Sequence, residues 1–196
     1  MKIHLYAIRL GRPLTQEETE ALMRKLPPER RERLLRMPKS ELRQEPLCAY
    51  AALSYGLRKL YGWESFPRFR YSERGKPEFD GYPTVHFSIS HTRGAVLAGI
   101  HDQPIGVDIE RIRPVSERMM QRIAGTSSPE EFFQSWVRLE SRGKWDGTGL
   151  AAMQPECTGA IPDERFCFVD TFPGYAACVC THAQDELAPV ECITLK

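Results

Sequence analysis

Two carboxylates stand one residue apart in Pro104-Ile105-Gly106-Val107-Asp108-Ile109-Glu110. Their alternation with Val107 and Ile109 reads as a β-strand, with the acids on one face and the aliphatic residues on the other. Adjacent acids repel, and acids are disfavoured in mid-strand unless something compensates. A solvated edge strand with its polar face outward would do so. So would a hard divalent cation such as Mg²⁺, which takes few carboxylates and fills its shell with water and phosphate oxygens. The pair alone leaves both open. A third acid, Glu140, follows Phe132 and Trp136 at helical i, i+4 and i+8 spacing. Lys144 lies one turn beyond, where an i,i+4 salt bridge to Glu140 is the ordinary expectation.

Other residue types carry weaker signals. Arg24, Lys25, Arg30, Arg31, Arg33, Arg36, Lys39 and Arg43 outnumber Glu29, Glu32 and Glu41 in one segment. That is either a solvated helix face or an anion site, since Arg holds phosphate oxygens bidentately. Ser90-His91 ends an alternating run but lacks a GxSxG elbow, so a serine hydrolase finds no support. GxxxxGK, GxGxxG and HExxH are also missing. The cysteines are Cys48, Cys157, Cys167, Cys178, Cys180 and Cys192. Cys178 and Cys180, with His182 nearby, invite a metal reading. Their apolar run Ala176-Ala177-Cys178-Val179-Cys180 reads instead as a buried strand.

The elements that position these residues follow from pattern and punctuation. With 196 residues, 41% hydrophobic, the chain forms one domain or two small halves sharing a core. A formal net charge of +1 argues against a dedicated nucleic-acid binder. No apolar run approaches the roughly 18 residues of a membrane span, and the N-terminus reads as a strand rather than a signal peptide. A soluble cytoplasmic protein without disulfides is expected.

Thr15-Gln16-Glu17-Glu18 is a capping box, and Pro27-Pro28 ends the helix it opens. A short basic helix is predicted from Glu29 to about Arg36, and a long one over Leu47–Tyr61 stopping at Gly62. Arg74-Gly75-Lys76-Pro77 reads as a turn. Val85–Ile89 and Ala95–Ile100 form a hairpin about Thr92-Arg93-Gly94. Ser128-Pro129-Glu130-Glu131 opens the Glu140 helix. Phe166–Val169 and Ala176–Thr181 make a second hairpin. Loops are expected near 113–129 and 154–163. A helical region followed by a hairpin therefore occurs in both halves. This predicts an α+β fold, pseudo-duplicated over residues 1–103 and 104–196, with antiparallel sheets and packed helices.

Gly75-Lys76-Pro77, Phe87-Ser88-Ile89-Ser90-His91-Thr92, Pro104 to Glu110, and Trp136-Val137-Arg138-Leu139-Glu140-Ser141-Arg142-Gly143-Lys144 occur in that order. Together they resemble the 4'-phosphopantetheinyl transferases of the surfactin-synthetase-activating type, over residues 10 to 180. The resemblance implies a pseudo-twofold transferase fold with coenzyme A and Mg²⁺ between the halves. Asp108, Glu110 and Glu140 match the metal-binding acids, and Lys144 the catalytic lysine. Lys76, Pro77, Ser90 and His91 match coenzyme A contacts. Arg30 and Arg33 fall where the family binds the 3'-phosphate. Glu140 is implied as the base that activates a carrier-protein serine, directly or through a water. The implied partner is an apo acyl, peptidyl or aryl carrier protein, with no nucleic acid, no membrane and a monomeric chain.

Four departures stand against this pattern. Leu139 replaces the Lys of the family's Trp-x-x-Lys-Glu, and Gln44 replaces an Arg. Arg142 and Gly143 replace bulkier apolar residues. The stretch from Arg111 to Phe132 is short. They motivate an alternative, a degenerate relative that binds coenzyme A or a carrier protein without turnover. A metal-dependent nuclease using the same three acids is weaker, because Ile112 stands where such an enzyme usually places a Lys.

Overall fold

The computed structural model describes residues 2–149 and 161–195. Cys157 and most of the loop expected near 154–163 lie outside them. The architecture is α+β. One five-stranded sheet runs β10-β1-β5-β4, with β9 also on β1. Its strands are β1 (Lys2–Arg9), β4 (His86–Thr92), β5 (Ala95–His101), β9 (Glu186–Leu187) and β10 (Glu191–Ile193). A three-stranded antiparallel sheet runs β6-β8-β7, from β6 (Gly106–Arg111), β7 (Glu164–Phe168) and β8 (Tyr175–His182). A small ribbon pairs β2 (Phe69–Tyr71) with β3 (Pro77–Phe79). The helices are α1 (Gln16–Lys25), α2 (Pro28–Leu35), α3 (Gln44–Tyr61), α4 (Glu117–Ala124) and α5 (Pro129–Asp146).

Period-two burial explains the layering. Along β1, Tyr6 and Ile8 enter one core with Leu47, Leu53 and Leu57 of α3. The intervening Ile3, Leu5 and Ala7 enter a second core with Val107 and Ile109 of β6 and Val179 of β8. The large sheet is therefore buried on both faces. The far face of the small sheet, through Ala176 and Cys178, packs on Phe132, Phe133 and Val137 of α5 and Met120 of α4. The layers run α3, large sheet, small sheet, α5. Cys178 and Cys180 are core residues of β8, and burial pushes the Cys178 thiol up to about 12. No helix among the described residues is long and apolar enough to cross a membrane.

Local signals behave as their chemistry dictates. The Thr15 hydroxyl accepts from Glu18 N while the Glu18 carboxylate accepts from Thr15 N, closing the capping box. Ser128 Oγ accepts from Glu131 N at the start of α5. Gly62 ends α3 in the left-handed region at φ 71°. One expectation is corrected. The predicted loop at 113–129 contains α4, bracketed by Ser116 and the left-handed Gly125, with Met119, Met120 and Ile123 turned to the core. The parallel pairing of β9 and β10 with β1 has no local sequence signal.

Gly106 sets the distance between β6 and α5. A Cβ there would lie 1.9 Å from Ser141 O and 2.5 Å from Trp145 N, both helix backbone. We expect Gly106→Ala to destabilise the fold by about 2–3 kcal/mol, read as a lower urea midpoint, because no flexible side chain can yield.

Candidate active site

The acids lie at a seam between the two sheets. β6 is an edge strand, and β8 occupies only one of its sides. On the other side three hydroxyls of β4, spaced by two, accept its outward N–H groups. Val107 N donates to Ser88 Oγ at 3.0 Å, Ile109 N to Ser90 Oγ at 3.3 Å and Arg111 N to Thr92 Oγ1 at 3.4 Å. Two of these hydroxyls pass their own hydrogen on. Ser90 Oγ donates to Asp108 Oδ1 at 2.6 Å, and Thr92 Oγ1 to Glu110 Oε2 at 2.9 Å. Asp108 is thus buried, which removes the solvated-edge reading.

Lys144 does not form the expected bridge to Glu140. Its ammonium donates to Asp108 Oδ1 at 2.7 Å, joining α5 to β6. Arg113 Nη1 donates to Glu110 Oε2 at 2.9 Å. Each acid is held by one oxygen. Asp108 Oδ2 is buried without a hydrogen-bond partner, a costly state for a carboxylate oxygen unless a cation meets it. Glu140 stands half-buried on α5, and burial, reinforced by the Asp108 charge, raises its carboxyl above the usual range. Among the described residues no three acidic, imidazole or thiol groups already enclose a metal position. Mg²⁺ does not need such a cage, because one or two carboxylates with water and phosphate oxygens suffice. The donor set fits that ion.

A cleft opens beside the acids, lined by Lys76, Pro77, Phe87, Ser88, Gly143 and Lys144. Gly143, a weak point for helix propensity, forms part of this wall. The turn before β3 also closes α5. Lys76 Nζ donates to Trp145 O and Ile105 O, each at 3.1 Å, and Arg74 Nη1 to Asp146 O at 3.3 Å. These cations satisfy carbonyls at the helix C-terminus. Burial pushes the Lys76 ammonium down to about 8. Ser90 faces β6 with its hydroxyl engaged, whereas His91 faces solvent. Partial desolvation, with the Lys144 charge adding, lowers the His91 imidazole.

The basic segment divides in two. Arg31 donates to Met23 O, Arg24 O and Leu26 O at the end of α1, and Arg43 to Leu35 O and Met37 O after α2. These side chains hold the helices together. Arg33 is exposed. Arg30 is buried among Tyr71, Phe69 and Tyr50, its guanidinium carbon 5.0, 5.1 and 5.8 Å from their ring centroids. Its Nε and Nη2 lack partners, so the donors are oriented but unused.

Comparison with known proteins finds relatives of one kind. The chain is 29% identical, over 92% of its length and 93% of the relative's, to 4'-phosphopantetheinyl transferase Sfp of Bacillus subtilis (strain 168). It is 28% identical over the same shares to 4'-phosphopantetheinyl transferase ffp of Bacillus subtilis. It is 29% identical to 4'-phosphopantetheinyl transferase psf-1 of Bacillus pumilus, over 64% of this chain and 65% of that protein. The chain is thus similar to 4'-phosphopantetheinyl transferases along nearly its whole length. It is an enzyme of that class. No family model matches the chain.

Two of the transferase's departures acquire structural partners. Gln44 Oε1 accepts from Leu14 N at 3.1 Å, closing the loop before α1. Arg142 pairs with Glu164 of β7 at 2.9 Å, with side chains only 5% and 8% exposed. This buried pair fixes the helix turn between Glu140 and Lys144. We expect Arg142→Met to cost about 3–5 kcal/mol, because it strands a buried carboxylate. Adding Glu164→Leu is expected to restore most of that loss in urea unfolding.

Proposed function

We propose that the transferase moves 4'-phosphopantetheine from coenzyme A to a serine of an apo acyl, peptidyl or aryl carrier protein, releasing 3',5'-ADP. The observation that carries this reading is the buried, unpartnered Oδ2 of Asp108, beside the cleft lined by Lys76, Pro77 and Lys144. Asp108, Glu110 and Glu140 are the residues that would hold Mg²⁺. When bound, the ion supplies neutralising charge for a diphosphate.

The chain's own groups do the rest. The half-buried Glu140, with its raised carboxyl, is suited to take the serine proton, directly or through a water. As the serine oxygen bonds to the β-phosphorus, the bond from that phosphorus to the bridging oxygen breaks. The electron pair leaves with 3',5'-ADP, and the Lys144 ammonium offsets its charge. Phosphoryl transfer depends on positioning and electrostatics, so no protein nucleophile is required. Arg30, with free donors in its aromatic cage, and exposed Arg33 would take the 3'-phosphate. Lys76, Pro77, Ser90 and His91 would border the coenzyme. Lys76 has one N–H beyond the two it gives to carbonyls.

The reading includes two pseudo-duplicated halves, 1–103 and 104–196. It is supported by α3 packing on β4 and β5 as α5 packs on β6 and β8. It also includes a cytoplasmic protein that engages neither nucleic acid nor membrane, and a monomer, since one chain supplies every site group. A second reading, a relative that binds coenzyme A or a carrier without turnover, draws support from Leu139 and from the structural use of Gln44.

Intact-mass analysis separates the two. Apo carrier proteins incubated with the transferase, coenzyme A and Mg²⁺ are expected to gain a phosphopantetheine-sized mass, and EDTA to abolish the gain. Glu140→Gln is expected to lower the rate by about 100-fold or more. No gain on any carrier class, with coenzyme A still bound, would select the second reading.

A further inference from the structure

Ser88, Ser90 and Thr92 form a repeated device rather than three separate contacts. At each rung a β4 hydroxyl accepts the N–H of the β6 residue that follows position 106, 108 or 110. Where that preceding residue is an acid, the hydroxyl hydrogen goes to its carboxylate. Where it is Gly106, there is no acid to receive it. A hydroxyl has one hydrogen, and accepting the backbone N–H leaves that hydrogen free for the carboxylate. Ser90 thereby holds Asp108 by Oδ1 and Thr92 holds Glu110 by Oε2. No described residue bonds Glu110 Oε1. Arg113 also reaches Oε2, but its side chain is 53% exposed, and such pairs orient weakly.

We propose that Thr92 is a positioning residue that turns Oε1 of Glu110 toward the cation, an inference that rests on the metal-dependent reading above. It touches neither substrate nor ion. Its effect passes through Glu110, as hydrogen-bond partners of metal ligands act elsewhere. Thr92 is a cleaner subject than Ser90, because its bond to Arg111 N is long and exposed. Losing the hydroxyl leaves that amide to water and the fold intact.

The test is Mn²⁺ binding, followed by electron paramagnetic resonance in the presence of coenzyme A, with urea unfolding alongside. Thr92→Val, which keeps the shape, is expected to weaken Mn²⁺ binding by about 10–100-fold. Thr92→Ser is expected to restore it. The urea midpoint should hold in both. In turnover, the apparent KM for Mg²⁺ should rise for Thr92→Val while kcat at saturating metal holds. If Val disturbs folding, Thr92→Ala serves the same comparison. Wild-type protein that binds no Mn²⁺ would overturn the metal-dependent reading itself. Wild-type binding that Thr92→Val and Thr92→Ala leave unchanged would overturn the positioning role alone.

Discussion

An edge strand with one bare side must find partners for its outward N–H groups, and β6 finds them in side chains rather than in another strand. Three hydroxyls of β4 take the place of a carbonyl ladder. A carbonyl only accepts, whereas a hydroxyl accepts and donates. The seam therefore closes the edge and delivers hydrogen-bond donors to the acids lying along it. It also lets the sheets meet at an edge while packing face to face through Leu5, Leu97, Val107 and Val179. The placement of Asp108, and hence the ion pair that draws α5 to β6 through Lys144, follows from that edge.

Helix C-termini present a related problem, and cations from elsewhere in the chain solve it. Arg31 serves α1, Arg43 follows α2, and Lys76 with Arg74 serves α5. Each joins a carbonyl end to another segment, as the helix dipole favours. In the transferase this makes the Gly-Lys-Pro turn both a wall of the cleft and a stop for the helix bearing Glu140 and Lys144. The turn and that helix are thereby tied by direct hydrogen bonds.

Elements specified by neighbours in sequence are legible in the sequence alone. Thr15 and Glu18, Ser128 with Pro129, and Gly62 each act within one helical turn. The acids of β6 were legible as a pair because period two puts Asp108 and Glu110 on one face. The element α4 was hidden because Pro114, Ser116, Ser127 and Ser128 read as loop, although Ser116 and Gly125 bracket it. The strands β9 and β10 are too short for periodicity, and their partner is at the other end of the chain. The hydroxyl spacing in β4 was visible, but its recipient was not. Whether Lys144 would turn to Glu140 or Asp108 depended on β6 lying against α5, where Gly106 allows backbone contact.

The strand β1 is completed by strands translated long after it. β1 takes β5 on one side, and its other side waits for Glu186–Leu187 and Glu191–Ile193. During synthesis a nascent chain that has emerged only through β8 carries an open edge on its central sheet. Open edges recruit strands from other molecules. The interval between translation of β8 and of β10 is therefore a window in which that edge is open to misassembly.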